Sequence, residues 1–167
     1  FCGSEYRTNG ITAAILREQI KRLDDILSDL RKNKKYVMDS IADVCCFVPS
    51  NDLAGDCGTT IALRFESAEQ AAAFSTADGV CGTVPINTGK HVYKNWTPIM
   101  NKRGALHPLM DPFLMDANRP ILPDYREDMC PFTLDVLAKV VYINVNPDWT
   151  SNDMDSLVTK IRQAVSK

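Results

Sequence analysis

The feature that most constrains this chain is a long amphipathic pattern close to its N-terminus. From Leu16 to Ile41, apolar residues recur mostly at alternating steps of four and three, which places them on one stripe of an α-helix. Asn9 or Thr8 can cap the start, and no proline interrupts the chain before Pro49. The pattern predicts a helix from about residue 9 to about residue 42, with or without a kink. Because a helix of ~30 residues is ~45 Å long, it is expected to join two domains or to pack against a second body.

The middle of the chain alternates between short strands and short helices. Residues 59–65 (TTIALRF) have the period-two alternation of a half-buried strand. Its buried face is expected to be Ile61, Leu63 and Phe65. A short helix is predicted to begin after Ser67. Its apolar face is expected to be Ala71, Ala72 and Phe74. Residues 83–87 (TVPIN) predict another strand, and a short helix is expected near residues 91–101.

The C-terminal part has clearer signals. Residues 132–139 predict a short helix and residues 140–145 a strand. The buried face of that strand is expected to be Val141, Ile143 and Val145. Thr150 and Asp153 resemble a capping box at the start of a last helix. Its apolar stripe is Met154, Leu157, Ile161 and Val165.

A long proline-rich segment separates these two groups of elements. Residues 104–131 hold five of the nine prolines and predict an ordered loop of a length that is usually functional.

These elements together predict an α+β fold. A long N-terminal helix is followed by a small mixed or antiparallel sheet of about three or four strands, with helices on one face. Residues 1–43 are predicted to form the interdomain or interface helix, and residues 44–167 a small C-terminal α+β domain.

The charge distribution and the cysteine spacing indicate which classes of partner and ligand are not expected. Nineteen Lys and Arg and 21 Asp and Glu are scattered along the chain, and the net charge is −2, which argues against nucleic acid and membrane surfaces. No apolar run approaches the ~18 residues of a membrane span. The six cysteines form no C-x-x-C pair, and two histidines do not complete a zinc spacing, so no metal is expected. Reduced, mostly buried thiols in a cytoplasmic protein are predicted.

Two short stretches are candidate binding segments. AGDCGTT (residues 54–60) is rich in glycine, but it lacks the G-K-[ST] ending of a phosphate loop and precedes a strand, so it is interpreted as a turn. TGKHVYKNW (residues 88–96) combines hydrogen-bonding groups with aromatic rings, as suits a polyhydroxylated substrate. A loop that packs its rings on the domain and leaves His91 in solvent is an equally good interpretation. The candidate substrate-binding residues are Lys90, His91, Tyr93, Asn95 and Trp96.

Read together, three stretches resemble the C-terminal part of the DegT/StrS family of sugar aminotransferases, fold-type-I enzymes that use pyridoxal 5'-phosphate (PLP). The opening GSEYRTNGITAAILREQIKRLDDIL is similar to the family's G-x-N-[FY]-R-M-[ST]-E segment and the helix that follows it. The matching positions are Gly3, Tyr6, Arg7, Ile11, Ala13, Ala14, Gln19, Ile20, Leu23 and Asp24. The tail CPFTLDVLAKVVYINVNPDWTSNDMDSLVTKI is similar to the family's closing pattern, and TGKHVYKNWTPIMNKRGALHP to a loop that approaches the active site. The resemblance covers nearly the whole chain.

The resemblance implies an activity and a missing part. In the family, a large domain before the long helix carries PLP and the lysine that forms a Schiff base with it. Nothing in this chain matches the stretch around that lysine, so no catalytic residue is expected here. The implied reaction moves an amino group from Glu or Gln to a keto-sugar or sugar nucleotide in a homodimer, with PLP as the electron sink. This chain is expected to be the small domain that closes over the substrate, inactive alone.

Three positions depart from the family pattern. The Asn that contacts the phosphate of the partner's PLP stands at Glu5 here, and a carboxylate beside a phosphate dianion would repel it. Gly10 replaces the family's acidic residue, and Thr8 its Met. These departures indicate a divergent subgroup.

Two hypotheses predict different surroundings for the first helix. A C-terminal domain of an aminotransferase predicts an exposed apolar stripe, where the large domain packs. A non-catalytic α+β binding or interaction module predicts a helix folded back onto its own sheet. A relative that dehydrates keto-sugars, with His in place of the lysine, stays open because that position lies outside the chain.

Overall fold

The N-terminal helix consists of two α-helical pieces joined by a turn of 3₁₀ helix. The computed structural model describes residues 8–89 and 92–166. Helix α1 spans Gly10–Gln19, the 3₁₀ turn spans Ile20–Arg22, and α2 spans Leu23–Ile41. Asn9 caps α1, because its side-chain oxygen accepts a hydrogen bond from the Thr12 amide at 2.8 Å. The predicted long helix is confirmed, and its interruption lies at the 3₁₀ turn.

A three-stranded antiparallel sheet forms the centre of the domain. Strands β1 (Cys46–Phe47), β2 (Thr60–Arg64) and β3 (Val140–Asn144) pair in the order β1-β2-β3. Ile61 lies opposite Ile143 and Leu63 opposite Val141. Because side chains alternate along a strand, these four share one face, and all four are buried. The small α+β fold with an antiparallel sheet is confirmed.

Three helices cover this face of the sheet. They are α2, α3 (Ala68–Ser75) and α6 (Ser151–Val165). Their core residues are Leu30, Val37, Ile41, Ala71, Phe74, Met154 and Ile161. Ser67 caps α3, and Thr150 with Asp153 forms the predicted capping box of α6. Ala72, predicted to face the core, is exposed instead.

The prediction of a strand at residues 83–87 is wrong. Thr83 forms a single antiparallel bridge with Tyr142, and Pro85–Asn87 is a 3₁₀ turn. Pro85 has no backbone N–H to donate to a neighbouring strand, so the ladder ends after one bridge. Helix α5 (Pro131–Ala138) packs against this turn and against α3.

Residues 92–130 form a long ordered segment with little regular structure, as predicted for residues 104–131. It contains 3₁₀ turns at Tyr93–Asn95, Pro108–Met110 and Arg119–Ile121 and the short helix α4 (Thr97–Met100). Among the described residues, no helix is long and apolar enough to cross a bilayer.

The cysteines are less buried than predicted. Cys45 and Cys130 are half-buried, whereas Cys46, Cys57 and Cys81 are exposed, and all five are free thiols. These three exposed cysteines lie at the rim of the sheet and in turns, where the core does not reach them.

Candidate functional site

Tyr93 ties the candidate substrate segment to the loop before α5. Its neighbour Val92 is fully buried and anchors the turn in the domain. The Tyr93 hydroxyl donates a hydrogen bond to the Glu127 carbonyl at 2.6 Å and accepts one from the Cys130 amide at 3.1 Å. The one proton that this hydroxyl can donate is therefore used inside the fold.

Asn95 and Trp96 lie at the exposed end of the same turn. Asn95 closes the 3₁₀ turn, and Trp96 precedes α4 with 49% of its surface exposed. An exposed indole offers a flat face for stacking, and the adjacent amide offers a donor and an acceptor. The two side chains together have the chemistry to hold a sugar ring. Lys90 and His91, the other two candidates, lie outside the described residues, as does Glu5.

The glycine-rich stretch at residues 54–58 wraps around a carboxylate. Asp56 accepts hydrogen bonds from the Lys34 ammonium at 2.6 Å and from the Gly58 amide at 2.7 Å. Its carbonyl accepts from the Arg31 side chain at 2.7 Å. The Lys34 ammonium, helped by the Gly58 amide, holds the pKa of Asp56 below its usual value. The stretch is therefore a turn, as predicted, in which Asp52 binds the Ala54 and Gly55 amides and Asp56 binds the Gly58 amide.

The turn requires a glycine at position 58. Its φ is +79°, and a Cβ atom there would lie 2.7 Å from the Arg31 backbone nitrogen. Only a residue without a side chain lets the turn approach α2 this closely.

Open grooves lie elsewhere on the described part of the domain. One of about 460 Å³ runs between Met38, Leu53 and the sheet residue Tyr142, and a neighbour of about 360 Å³ lies beside Arg31 and Lys34. The third, about 380 Å³, combines Cys81 with Asn144, Trp149 and Ser156. None of these three grooves is lined by Tyr93, Asn95 or Trp96.

The groove at Cys81 was missed from the sequence. Cys81 has a left-handed backbone with φ of 51°, which is uncommon outside glycine and asparagine. The flanking Gly79 and Gly82 signalled a turn, but nothing signalled Trp149 across it.

Cys45 and Tyr36 are among the other groups whose pKa values are shifted. Burial raises the pKa of the Cys45 thiol to about 11, so this residue is a thiol rather than a thiolate at neutral pH. Tyr36 donates a hydrogen bond to Asp155, which raises the pKa of Tyr36. This contact joins α2 to α6 and is structural.

The described part of the chain contains no group of three or more His, Cys, Asp or Glu side chains placed to hold a metal ion. A search with protein-family models finds no family that matches this sequence.

Proposed function

We propose that this chain is the C-terminal domain of a PLP-dependent sugar aminotransferase related to the DegT/StrS family. The complete enzyme transfers an amino group from Glu or Gln to a keto-sugar or sugar nucleotide, acts as a homodimer and works in the cytoplasm. This domain covers the substrate through the segment that contains Tyr93, Asn95 and Trp96, and it is inactive alone.

The observation that carries the proposal is the apolar face of α1, which is exposed in the part of the chain that the structure describes. Every residue of α1 is exposed, although the helix carries Ile11, Ile15 and Leu16. The stripe continues through Ile20, which is 67% exposed, and Leu23. Isolated helices of this length are marginal in water, and an exposed apolar stripe usually marks an interface. A second body packed on α1 supplies both stabilisation and cover.

The position of the stripe within the long N-terminal helix supports a second domain as that body. The second piece of the long N-terminal helix, α2, buries Leu30, Val37 and Ile41 in the core of this domain. The helix therefore belongs to the core at one end and is free at the other, as a connection between two domains requires.

The glycine-rich turn does not fit the phosphate of PLP. Its Gly58 amide is bonded to the Asp56 carboxylate, and Lys34 is paired with that carboxylate at 2.6 Å. PLP, which supplies an electron sink for transamination, is therefore assigned to the upstream domain, and this chain contributes substrate contacts.

The native protein tests the proposal directly. Its coding sequence upstream of residue 1 is read, and its intact mass is compared with 18.6 kDa. The expected protein is more than twice this mass and contains a lysine that borohydride reduction links covalently to PLP. A native protein that begins at Phe1, or one that reduction leaves free of PLP, refutes the aminotransferase.

The substrate segment is tested in that complete enzyme. Trp96→Ala and Asn95→Ala are each expected to raise KM for the sugar by about tenfold, the loss typical of one stacking or hydrogen-bonding contact, with KM for the amino donor unchanged. Trp149→Phe is the matched control, because Trp149 lies in the groove at Cys81. Equal KM values for all three variants would remove this segment from the site.

The alternative is a non-catalytic α+β binding or interaction module. It is favoured by the packing of α2 on α6 and β2, which gives the domain a core of its own. The same mass and borohydride measurements separate the alternatives, because the module predicts a native chain of about this length without PLP.

A further inference from the structure

Asn9 is followed directly by Gly10, and it is the only asparagine in the sequence that precedes a glycine. Asparagine is among the thermolabile residues of proteins. Its side-chain carbonyl carbon is electrophilic, and the backbone nitrogen of the next residue can close a five-membered ring on it. A side chain on that next residue crowds the approach, and glycine has none. Of all the asparagines in the chain, Asn9 is therefore the one at which this ring closes with the least crowding.

The structure leaves the Gly10 nitrogen open to this reaction. Gly10 is the first residue of α1, and the amides of a first helical turn have no carbonyl partner inside their helix. Ala13 donates the bond that starts the helical ladder, to the Asn9 carbonyl at 3.0 Å. A Cβ atom at position 10 would meet nothing within 4 Å, so no described neighbour shields the nitrogen or the ring that forms on it.

The cap of α1 slows the reaction without preventing it. The Asn9 side-chain oxygen accepts a hydrogen bond from the Thr12 amide at 2.8 Å, which fixes the carboxamide in the capping position while the Asn9 backbone is extended. Ring closure therefore requires the cap to open. No residue of α1 is buried, so opening its first turn breaks no core contact, and helix ends open locally at low cost.

We propose that Asn9 is a site of spontaneous deamidation and isomerisation, and that the isomerised product removes the cap of α1. The Gly10 nitrogen bonds to Cγ of Asn9, and the bond from Cγ to the side-chain nitrogen breaks. The proton of the Gly10 amide leaves with that nitrogen as ammonia, and a succinimide ring remains. Water then opens the ring at one of its two carbonyl carbons. Water is the only other reactant.

The two products have different effects on α1. Opening at Cγ gives an aspartate at position 9, which ranks with asparagine as a helix cap and places a negative charge at the positive end of the helix. Opening at the backbone carbonyl carbon gives isoaspartate, in which the main chain runs through Cβ and Cγ. The connection to Gly10 is then one carbon longer, so the carboxylate no longer lies over the Thr12 amide and the cap is lost.

Loss of the cap changes the apolar stripe of α1. Because α1 has no buried residue to hold it, the isoaspartate form is expected to lose helical structure in its first turns. The ordered stripe that begins at Ile11 and Ile15 is then lost as well. This is the surface on which a second domain is proposed to pack. The reaction itself needs neither that domain nor PLP, so its failure leaves the aminotransferase proposal standing, and the reverse also holds.

Peptide mapping of the 167-residue chain tests the reaction. After incubation in neutral buffer, trypsin cleaves at Arg7 and Arg17 and releases residues 8–17, whose only asparagine is Asn9. This peptide is expected to convert from amide to acid at least about tenfold faster than peptides that carry the other asparagines. An isoaspartate methyltransferase is expected to label the same peptide. The map separates this label from any at Asp78, the aspartate that precedes a glycine.

Moving the glycine separates the two factors that could set the rate. Gly10→Ala is expected to slow conversion at least about tenfold, because its methyl group crowds the attacking nitrogen. Alanine is also the better helix former, so the matched control combines Gly10→Ala with Ala14→Gly, which moves the glycine one turn along the same exposed helix. This double variant is expected to be as slow as Gly10→Ala. Recovery of the native rate in the double variant would overturn the assignment of the reaction to the Gly10 nitrogen.

Hydrogen exchange at the Thr12 amide tests the loss of the cap. The isoaspartate form, separated by chromatography, is expected to exchange this amide about fivefold faster or more, as fits the loss of a typical cap. Asn9→Asp, which reproduces the other product, is expected to keep the native rate. Failure of residues 8–17 to convert, or an isoaspartate form that protects Thr12 as well as the native chain does, would each overturn the proposal.

Discussion

The Tyr93 hydroxyl and the Glu127 carbonyl, 34 residues apart in the chain, are joined by a hydrogen bond of 2.6 Å. The same hydroxyl accepts a hydrogen bond from the Cys130 amide. One side chain thus holds the turn that carries Asn95 and Trp96 against the loop that leads into α5.

Tyr93→Phe is expected to destabilise the domain by about 1–2 kcal/mol, because the Glu127 carbonyl and the Cys130 amide lose their partner. Urea denaturation measures the loss, and hydrogen exchange at the Cys130 amide is expected to accelerate. Tyr142→Phe is the control, since this exposed tyrosine lies on the sheet. Unchanged exchange at Cys130 in Tyr93→Phe would show that the hydroxyl does not hold the loop.

The ion pair between Asp56 and Lys34 predicts that part of the free energy of unfolding depends on pH. The pKa of Asp56 is lowered in the fold, chiefly by Lys34, so its contribution is complete above the unfolded pKa of about 3.9. It is lost as pH falls from that value through the lower folded pKa. Asp56→Asn is therefore expected to cost about 1–2 kcal/mol at pH 7.

The pH dependence of this difference is the decisive part of the measurement. The gap in unfolding free energy between the native sequence and Asp56→Asn is expected to shrink as pH falls from 5 to 3. Asp39→Asn is the control, because Asp39 also pairs with a lysine of α2 but is largely exposed, and exposed pairs contribute about 0–1 kcal/mol. A gap of constant size would show that the Asp56 charge does not stabilise the fold.

The elements that could be predicted are those in which local pattern and burial agree. In β2 and β3 the alternation of residues such as Ile61 and Val141 matches the buried face, and the capping box of Thr150 and Asp153 marks the start of α6. Such signals lie within a few residues of the element they specify. Pro85 is the counterexample, because the apolar residues around it suggested a strand that its missing N–H does not permit.

The contacts of the candidate site could not be predicted, because they join distant parts of the chain. Asp56 meets Lys34 across 22 residues, and Tyr93 meets Glu127 across 34. The composition of residues 88–96 indicated hydrogen bonding and stacking, but not that the Tyr93 hydroxyl is engaged within the fold. Side chains paired through tertiary contact leave no periodic signal.

Two glycines with the same backbone conformation allow the cost of a left-handed backbone to be measured separately from the cost of steric overlap. Gly58 has φ of +79° and lies against α2, whereas Gly89 has φ of +76° with open space around it. Gly89→Ala is expected to cost about 1–2 kcal/mol for the left-handed backbone alone. Gly58→Ala adds overlap with the backbone of Leu30 and Arg31, worth about 1–3 kcal/mol more.

Thermal denaturation of both variants measures the difference. A lower midpoint for Gly58→Ala than for Gly89→Ala is expected. Equal midpoints would mean that the turn at residues 54–58 moves away from α2 without loss of stability.

The apolar stripe of α1 predicts that replacing isoleucine by Gln has little effect on stability in α1 and a large effect at the end of α2. Ile15 and Ile20 are 57% and 67% exposed, whereas Ile41, at the end of α2, is fully buried. Replacing both exposed residues with Gln, a good helix former, is expected to change the unfolding free energy by less than about 0.5 kcal/mol and to reduce self-association measured by light scattering. Ile41→Gln buries an amide without a partner and is expected to cost about 3 kcal/mol or more. A cost above about 1.5 kcal/mol for the exposed pair would show that α1 packs on its own domain, as a self-contained binding module requires, and would remove the main support for an upstream catalytic domain.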